Sequence, residues 1–193
     1  RPLEYPVSVH FGAPLPADST ARKIRQAVLE LSCDWIESRK YHRLSMAQTF
    51  VKIARRNWKR LCMTDTTGKK LTYGQTLIAA IIFAERYRPI LKNQQNIGIL
   101  LPPSVGGAVA NVAIGLLRKT AVNLNYTVTQ SDRQTAIDEC GIRTIVTSRA
   151  FLEKLGLPAD DSKYVFVEDL AAAIKNRDKR KALLKAFLIP ARW

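Results

Sequence analysis

Histidine, cysteine and acidic side chains are all scarce in this sequence, and each shortage closes off a class of chemistry. Among 193 residues there are 2 His, 3 Cys and 16 Asp or Glu. Cys33, Cys62 and Cys140 stand far apart, are odd in number and show no C-x-x-C spacing, so neither a disulfide framework nor a zinc site is expected. They read as small buried apolar residues of a reduced, cytoplasmic protein. No apolar run reaches the roughly 20 residues that cross a bilayer. The longest, 105–117, is broken by Asn111 and closed by Arg118 and Lys119. The opening RPLEYPVSVHFG lacks a basic stretch followed by an apolar one, so no secretory leader is expected there.

What the chain has in excess is positive charge. Its 31 Lys and Arg leave a net charge of +15, an imbalance that calls for an anionic partner or surface. Nucleic acid, anionic lipid headgroups and an acidic carrier protein all qualify. With 47% hydrophobic and 24% charged residues, the composition is otherwise that of a folded domain.

Alternating Val7, Val9 and Phe11 predict a half-buried strand over 6–11. A helix then starts near Ser19 or Thr20 and ends near Arg39, with Ile24, Val28, Leu31, Trp35 and Ile36 at helical spacing. A second helix opens at Ser45, with Gln48 three residues on in a capping-box arrangement, and is expected to reach about Leu61. At 100° per residue it gathers Ala47, Phe50, Val51, Ala54, Trp58 and Leu61 on one side. Lys52, Arg55, Arg56, Lys59 and Arg60 fall on the other. Clustered like charges add little to stability, so these five cations are the candidate partner-binding residues. Trp58 falls on the apolar side, as does Phe50, which leaves no exposed stacking platform on the basic face and disfavours nucleic acid.

Beyond it, CMTDTTGKKLTY predicts a hairpin turning at Asp65 and Gly68. Thr72 caps a helix over 74–87, again with a glutamine, Gln75, three residues on. Then NIGILL, AVNL, IRTIVTS and KYVFVEDL read as strands alternating with helices in SVGGAVANVAIGLLRK, SDRQTAIDECG and RAFLEKLG, followed by a basic helix near 179–188. The fold class expected is α/β: a partial parallel sheet with flanking helices, preceded by a strand and two helices. Gly106 and Gly107 follow a strand but lack G-x-G-x-x-G spacing, so close helix packing is their expected role. Asp132, Asp138 and Glu139 share a helix with no His or Cys nearby and read as cap and solvated face. The cations Lys175, Arg177, Lys179, Arg180, Lys181 and Lys185 read as solvated helix surface.

The series DTTGKKLTYGQTLIAA, NIGILLPPSVGGAVANVAIGLLRKTAVNLNYT resembles the opening of the adenylate-forming acyl-activating superfamily. AVNLNYT with TSRAFLEKL narrows the resemblance to a family of fusions between a lysophospholipid acyltransferase and an acyl-(acyl-carrier-protein) synthetase, and PVSVHFGAPLP resembles the closing strand of the acyltransferase part. This resemblance implies a division into 1–18 (end of an acyltransferase domain), 19–62 (helical linker with the basic helix) and 63–193 (first part of an AMP-binding domain). It implies a parent enzyme on the cytoplasmic face of a membrane that uses ATP and Mg, with an acidic acyl-carrier protein or anionic lipid headgroups as partners. A parallel sheet cut after a few strands leaves an unpaired edge and exposed apolar surface, so either self-association through that surface or a partner that covers it is expected.

The family's catalytic groups are expected outside this stretch. The acyltransferase histidine requires an aspartate five positions on, but His10 is followed by Leu15 and His42 by Ala47. TDTTGKK lacks the earlier glycine of a G-x-x-x-x-G-K phosphate loop. No catalytic, metal or cofactor-binding residue is therefore assigned, and the stretch alone is expected to be inactive. The alternatives are part of an ordinary acyl-coenzyme A synthetase, or a small basic nucleic-acid-binding module.

Overall fold

The computed structural model describes residues 9–38, 44–159 and 162–188. These belong to two compact units, Arg1–Leu44 and Ser45–Trp193. The two helices read from sequence as one linker over 19–62 thus fall in different units.

The first unit contributes α1 (Ala21–Ser38). Residues 9–11 form no strand, and Val9 and Phe11 are exposed; the rest of the expected strand, 6–8, lies outside the described residues. The predicted apolar stripe of α1 forms but is poorly covered, with Ile24, Val28 and Ile36 each exposed. His10 packs edge-on against Trp35 at 6.2 Å between ring centres.

The second unit begins with α2 (Met46–Arg56), capped as expected: Ser45 and Gln48 satisfy each other's backbone N–H groups. The helix is a turn shorter than its periodicity predicts. Asn57 ends it, both its backbone and side-chain nitrogens donating to the Ile53 carbonyl. Residues 58–60 are then tied to the start of the next helix, because Tyr73 N–H bonds the Arg60 carbonyl and Gly74 N–H the Trp58 carbonyl. Lys59 and Arg60 therefore leave the helix, and Leu61, expected on its apolar side, begins a strand and is exposed. Strands β1 (Leu61–Thr64) and β2 (Lys70–Thr72) form the predicted hairpin, with Gly68 at a left-handed φ of 79°.

Helix α3 (Tyr73–Ile90) starts from the predicted Thr72 and Gln75 capping box. It leads into a parallel sheet of β3 (Asn96–Leu100), β4 (Thr120–Asn123), β5 (Ile145–Thr147) and β6 (Tyr164–Phe166), in the order β4-β3-β5-β6. Between these strands lie α4 (Val105–Leu116), α5 (Gln130–Glu139) and α6 (Arg149–Lys154); α7 (Val167–Ala172) and α8 (Asn176–Leu188) follow. The α/β class and the parallel sheet read from sequence are both present.

Alternation along the strands sorts the core into two layers. Ile97, Ile99 and Val146 face α2, α3, α4 and α8. Leu100 and Ile145 face α5 and α6 with Ile137, Phe151 and Leu152. The C-terminal helix is held on α3 by Arg86 bonding Asp178 at 2.8 Å and Lys185 pairing with Glu85 at 3.0 Å.

Two further details depart from the sequence expectations. Cys33 is exposed, and Cys62 and Cys140 are only partly covered, so none is a core residue; all three are free thiols. Helix α4 stops three residues before Lys119, and Arg118 takes the left-handed φ of 58° that normally favours glycine.

Trp58 explains a glycine the sequence does not single out. A Cβ on Gly74 would lie 2.5 Å from the indole ring, so the ring rests directly on this backbone. Gly74→Ala is expected to destabilise the protein by roughly 1–3 kcal/mol in urea unfolding, as overpacked sites do. At position 118 the reverse holds: Arg118→Gly relieves the left-handed backbone and is expected to raise stability by about 0.5–1 kcal/mol in the same measurement.

Candidate functional site

In open parallel sheets, ligands bind at the carboxyl ends of the strands, where loops leave to opposite faces. Here β3 sends α4 to one face while β4 sends α5 to the other. A cleft of about 550 Å³ opens at that edge. Its walls come from the end of β1 and the hairpin turn (Met63, Thr64, Asp65), the exit of β3 and start of α4 (101–105, Gly107 and Ala108, with Asn111), and the exit of β4 (Asn123–Tyr126).

Asp65 organises the cleft. Its Oδ1 accepts bonds from the Thr67 N–H and hydroxyl and from the Lys69 N–H, which closes the hairpin turn. Its Oδ2 accepts the Val105 N–H at 3.0 Å, the first free donor of α4. The helix's own cap, Ser104, takes the Gly107 N–H. These donors, led by the Thr67 hydroxyl and the Val105 amide, hold the Asp65 carboxyl below its ordinary range. The positive end of α4 is thus already answered by a carboxylate of the protein.

On the opposite wall, Asn111 and Asn123 exchange side-chain amide bonds at 3.0 and 2.9 Å, and Asn111 also donates to the Gly107 carbonyl. This pair ties α4 to the end of β4. Gly107 is packed as expected, with an added Cβ 3.0 Å from the Pro102 carbonyl oxygen; Gly106 is exposed and has no such constraint. Tyr126 leans edge-on against Phe151 at 5.3 Å, linking the β4 exit to α6.

The lining contains no Lys, Arg, His or Cys. In a chain of net charge +15, the polar groups this cleft offers are the hydroxyls of Thr64, Ser104 and Tyr126, the side-chain amides of Asn111, Asn123 and Asn125, and the Asp65 carboxylate. Among the described residues there is no group of His, Cys, Asp or Glu that could hold a metal ion. Asp132 and Asp138 act as read from sequence, Asp132 bonding the cap Thr129 and Asp138 accepting from Gln134.

The five cations marked from sequence are not in the cleft and do not share one helix face. Lys52 and Arg56 stand exposed on α2, and Lys59 and Arg60 are exposed on the turn after it. Arg55 is half-buried and donates to the Ala186 carbonyl on α8 at 2.6 Å; Arg60 donates to Asn57. Sequence reasoning saw Asp65 only as a turn former and Asn111 only as a break in an apolar run. Nothing local in the sequence reveals that Asp65 reaches a helix 40 positions away.

Asp65 couples the cleft's stability to pH. Its folded pKa is depressed, so its contribution is present above the unfolded aspartate range near 3.9 and fades as pH falls through the lower folded value. Asp65→Asn is therefore expected to lower the melting temperature at pH 7, with the gap to the parent closing below about pH 4 in a pH series of thermal melts.

No protein family's sequence profile matches the chain. Solved structures do. O-succinylbenzoate coenzyme A synthetase from Bacillus subtilis, in complex with AMP, superposes with a TM-score of 0.56 at 19% identity, over 65% of this chain and 32% of that one. The Klebsiella oxytoca NpsA N-terminal subdomain, in complex with 3-hydroxyanthranilyl-AMSN, gives 0.59 at 14% identity over 70% and 34%. The nonribosomal peptide synthetase FmoA3, in an α-methyl-L-serine-AMP bound form, gives 0.55 at 16% over 65% and 14%. The chain spans about a third or less of the length of these proteins. Its sheet and flanking helices have the fold of the N-terminal subdomain of adenylate-forming enzymes.

Proposed function

We propose that this chain is part of an adenylate-forming enzyme that activates a carboxylic acid with ATP and Mg. The observation that carries the reading is the convergence of the resemblance-bearing segments on one cleft. The turn of DTTGKK, the exit of NIGILLPPS and the exit of AVNLNYT supply its three walls. The bacterial synthetase with the same fold has also been captured with ATP and a magnesium ion, which supports ATP and Mg as the cosubstrates here.

Within that class, the motifs AVNLNYT and TSRAFLEKL favour the bifunctional 2-acylglycerophosphoethanolamine acyltransferase and acyl-(acyl-carrier-protein) synthetase. Such a parent would activate a fatty acid, load it on an acidic carrier protein and pass it to a lysophospholipid. The cleft's part in this is positioning: the Asp65 carboxylate occupies the α4 terminus and no cation lines the walls, so the triphosphate belongs to residues other than these. The exposed cations Lys52, Arg56, Lys59 and Arg60 would serve the anionic partner.

The test is fatty-acid-dependent exchange of pyrophosphate into ATP. The 193-residue chain alone is expected to show none, and a longer protein that continues it with a glycine-rich, lysine-ended phosphate loop is expected to show exchange that depends on fatty acid and Mg. Turnover by the chain alone, or none by the longer protein with any fatty acid, overturns the assignment.

A further inference from the structure

Helix α8 carries a surface that neither the cleft nor acyl activation uses. Ala182 and Ala186 are its buried residues. At 100° per residue, the side opposite them carries Arg177, Arg180 and Lys181 in its first half and Leu184, Phe187 and Leu188 in its second, with Leu183 on the flank. The division is sharp. All three cations are exposed, and the four apolar residues are 42%, 61%, 55% and 77% exposed. Asp178, the single acid of this helix, is turned aside into its bond with Arg86.

The apolar end of α8 is bracketed by a second set of cations. Arg55 donates to the Ala186 carbonyl, and Trp58 stacks on Phe187 at 4.6 Å between ring centres. These contacts place the end of α2, with exposed Arg56 and Lys59, beside the exposed leucines. Over 45–72 the sequence carries seven cations and one acid, Asp65, which is committed to the hairpin and α4. Large apolar side chains flanked on both sides by unmixed positive charge form the pattern by which helices lie in the headgroup layer of an anionic bilayer.

We infer that the outward side of α8, with the adjoining end of α2, is a docking surface for an anionic lipid bilayer. The leucines and Phe187 enter the boundary between headgroups and acyl chains while Arg177, Arg180, Lys181, Arg56 and Lys59 meet lipid phosphates. The surface is a convex helix rather than a groove, which suits a membrane plane better than a partner's helix. A second copy is a poor occupant, because a two-fold contact would set these cations against themselves. Among the described residues no helix is long and apolar enough to cross a membrane. It requires nothing of the adenylation reading and can fail or hold independently of it.

The experiment is flotation of the whole 193-residue chain with vesicles of phosphatidylcholine alone or with about one third phosphatidylglycerol. Binding is expected only to the anionic vesicles and should weaken at least about tenfold when salt rises from about 0.1 to 0.5 M. Leu184→Glu with Leu188→Glu, and separately Arg177→Glu with Arg180→Glu, should each reduce binding at least about tenfold. All four sites are exposed, so circular dichroism melts should be unchanged, and if the leucine pair unfolds the protein the arginine pair decides. Equal binding to neutral vesicles overturns the proposal, as does anionic binding that neither pair alters. Capture of an acidic carrier protein through these residues without vesicle binding, or self-association abolished by Leu184→Glu without vesicle binding, overturns it as well.

Discussion

A helix that is apolar on nearly every side cannot stand at a protein surface, and α4 is such a helix. Val105, Val109, Ala110, Ala113, Ile114 and Leu116 are all buried, on more than one face. One side lies on the sheet through Ile97, Ile99 and Val146, but the far side needs a second layer. That layer is α2 and α3, packed against α4 through Ala47, Val51, Ala54, Leu77, Ala80, Ile81 and Ala84. Small residues let the layers close: a Cβ on Gly115 would sit 3.0 Å from that of Ala47. Burial of large apolar side chains at about 25 cal/mol per Å² makes this interface the main stabilising contact of the second unit. Helix α8 then covers the outer edge through Ala182 and Ala186.

The cleft follows from the same arrangement. Fixing α4 against two layers leaves its first turn at the sheet edge, where its amide groups need acceptors. Ser104 supplies one and Asp65 another, and the Asp65 bond locks the hairpin to the start of α4. One carboxylate thereby serves as turn former, helix cap and wall of the cleft. The electrostatic result is a division of labour across the unit: the cleft is free of cations, while the positive charge is carried on α2, its exit turn and α8. The cleft and the cationic surface therefore lie on different elements of the unit.

Sequence reasoning was most reliable where local chemistry has few solutions. The Ser45 and Gln48 box, the Thr72 and Gln75 box, the turn at Asp65 and Gly68, and the alternation of short strands with helices all appear where they were read. It erred where periodicity ran past a tertiary constraint. The pattern of α2 continues smoothly through Trp58 to Leu61, but the bonds from Tyr73 and Gly74 to residues 60 and 58 end the helix first. Likewise 105–119 reads as one helix, and only the turn required to enter β4 stops it at Leu116 and forces Arg118 into a left-handed conformation.

What the sequence by itself determined is the class of fold, the caps and turns and the excess of cations, since these depend on residue type and short-range spacing. What only the tertiary structure decided is which distant residues meet. The bond from Asp65 to Val105, the amide pair of Asn111 and Asn123, the Trp58 ring on Gly74, and the joining of α8's leucines to α2's cations all bridge separate segments. The physical reason is that a side chain's nearest neighbours along the chain are set by covalent geometry. Its neighbours across the core are set by how whole layers bury their apolar faces.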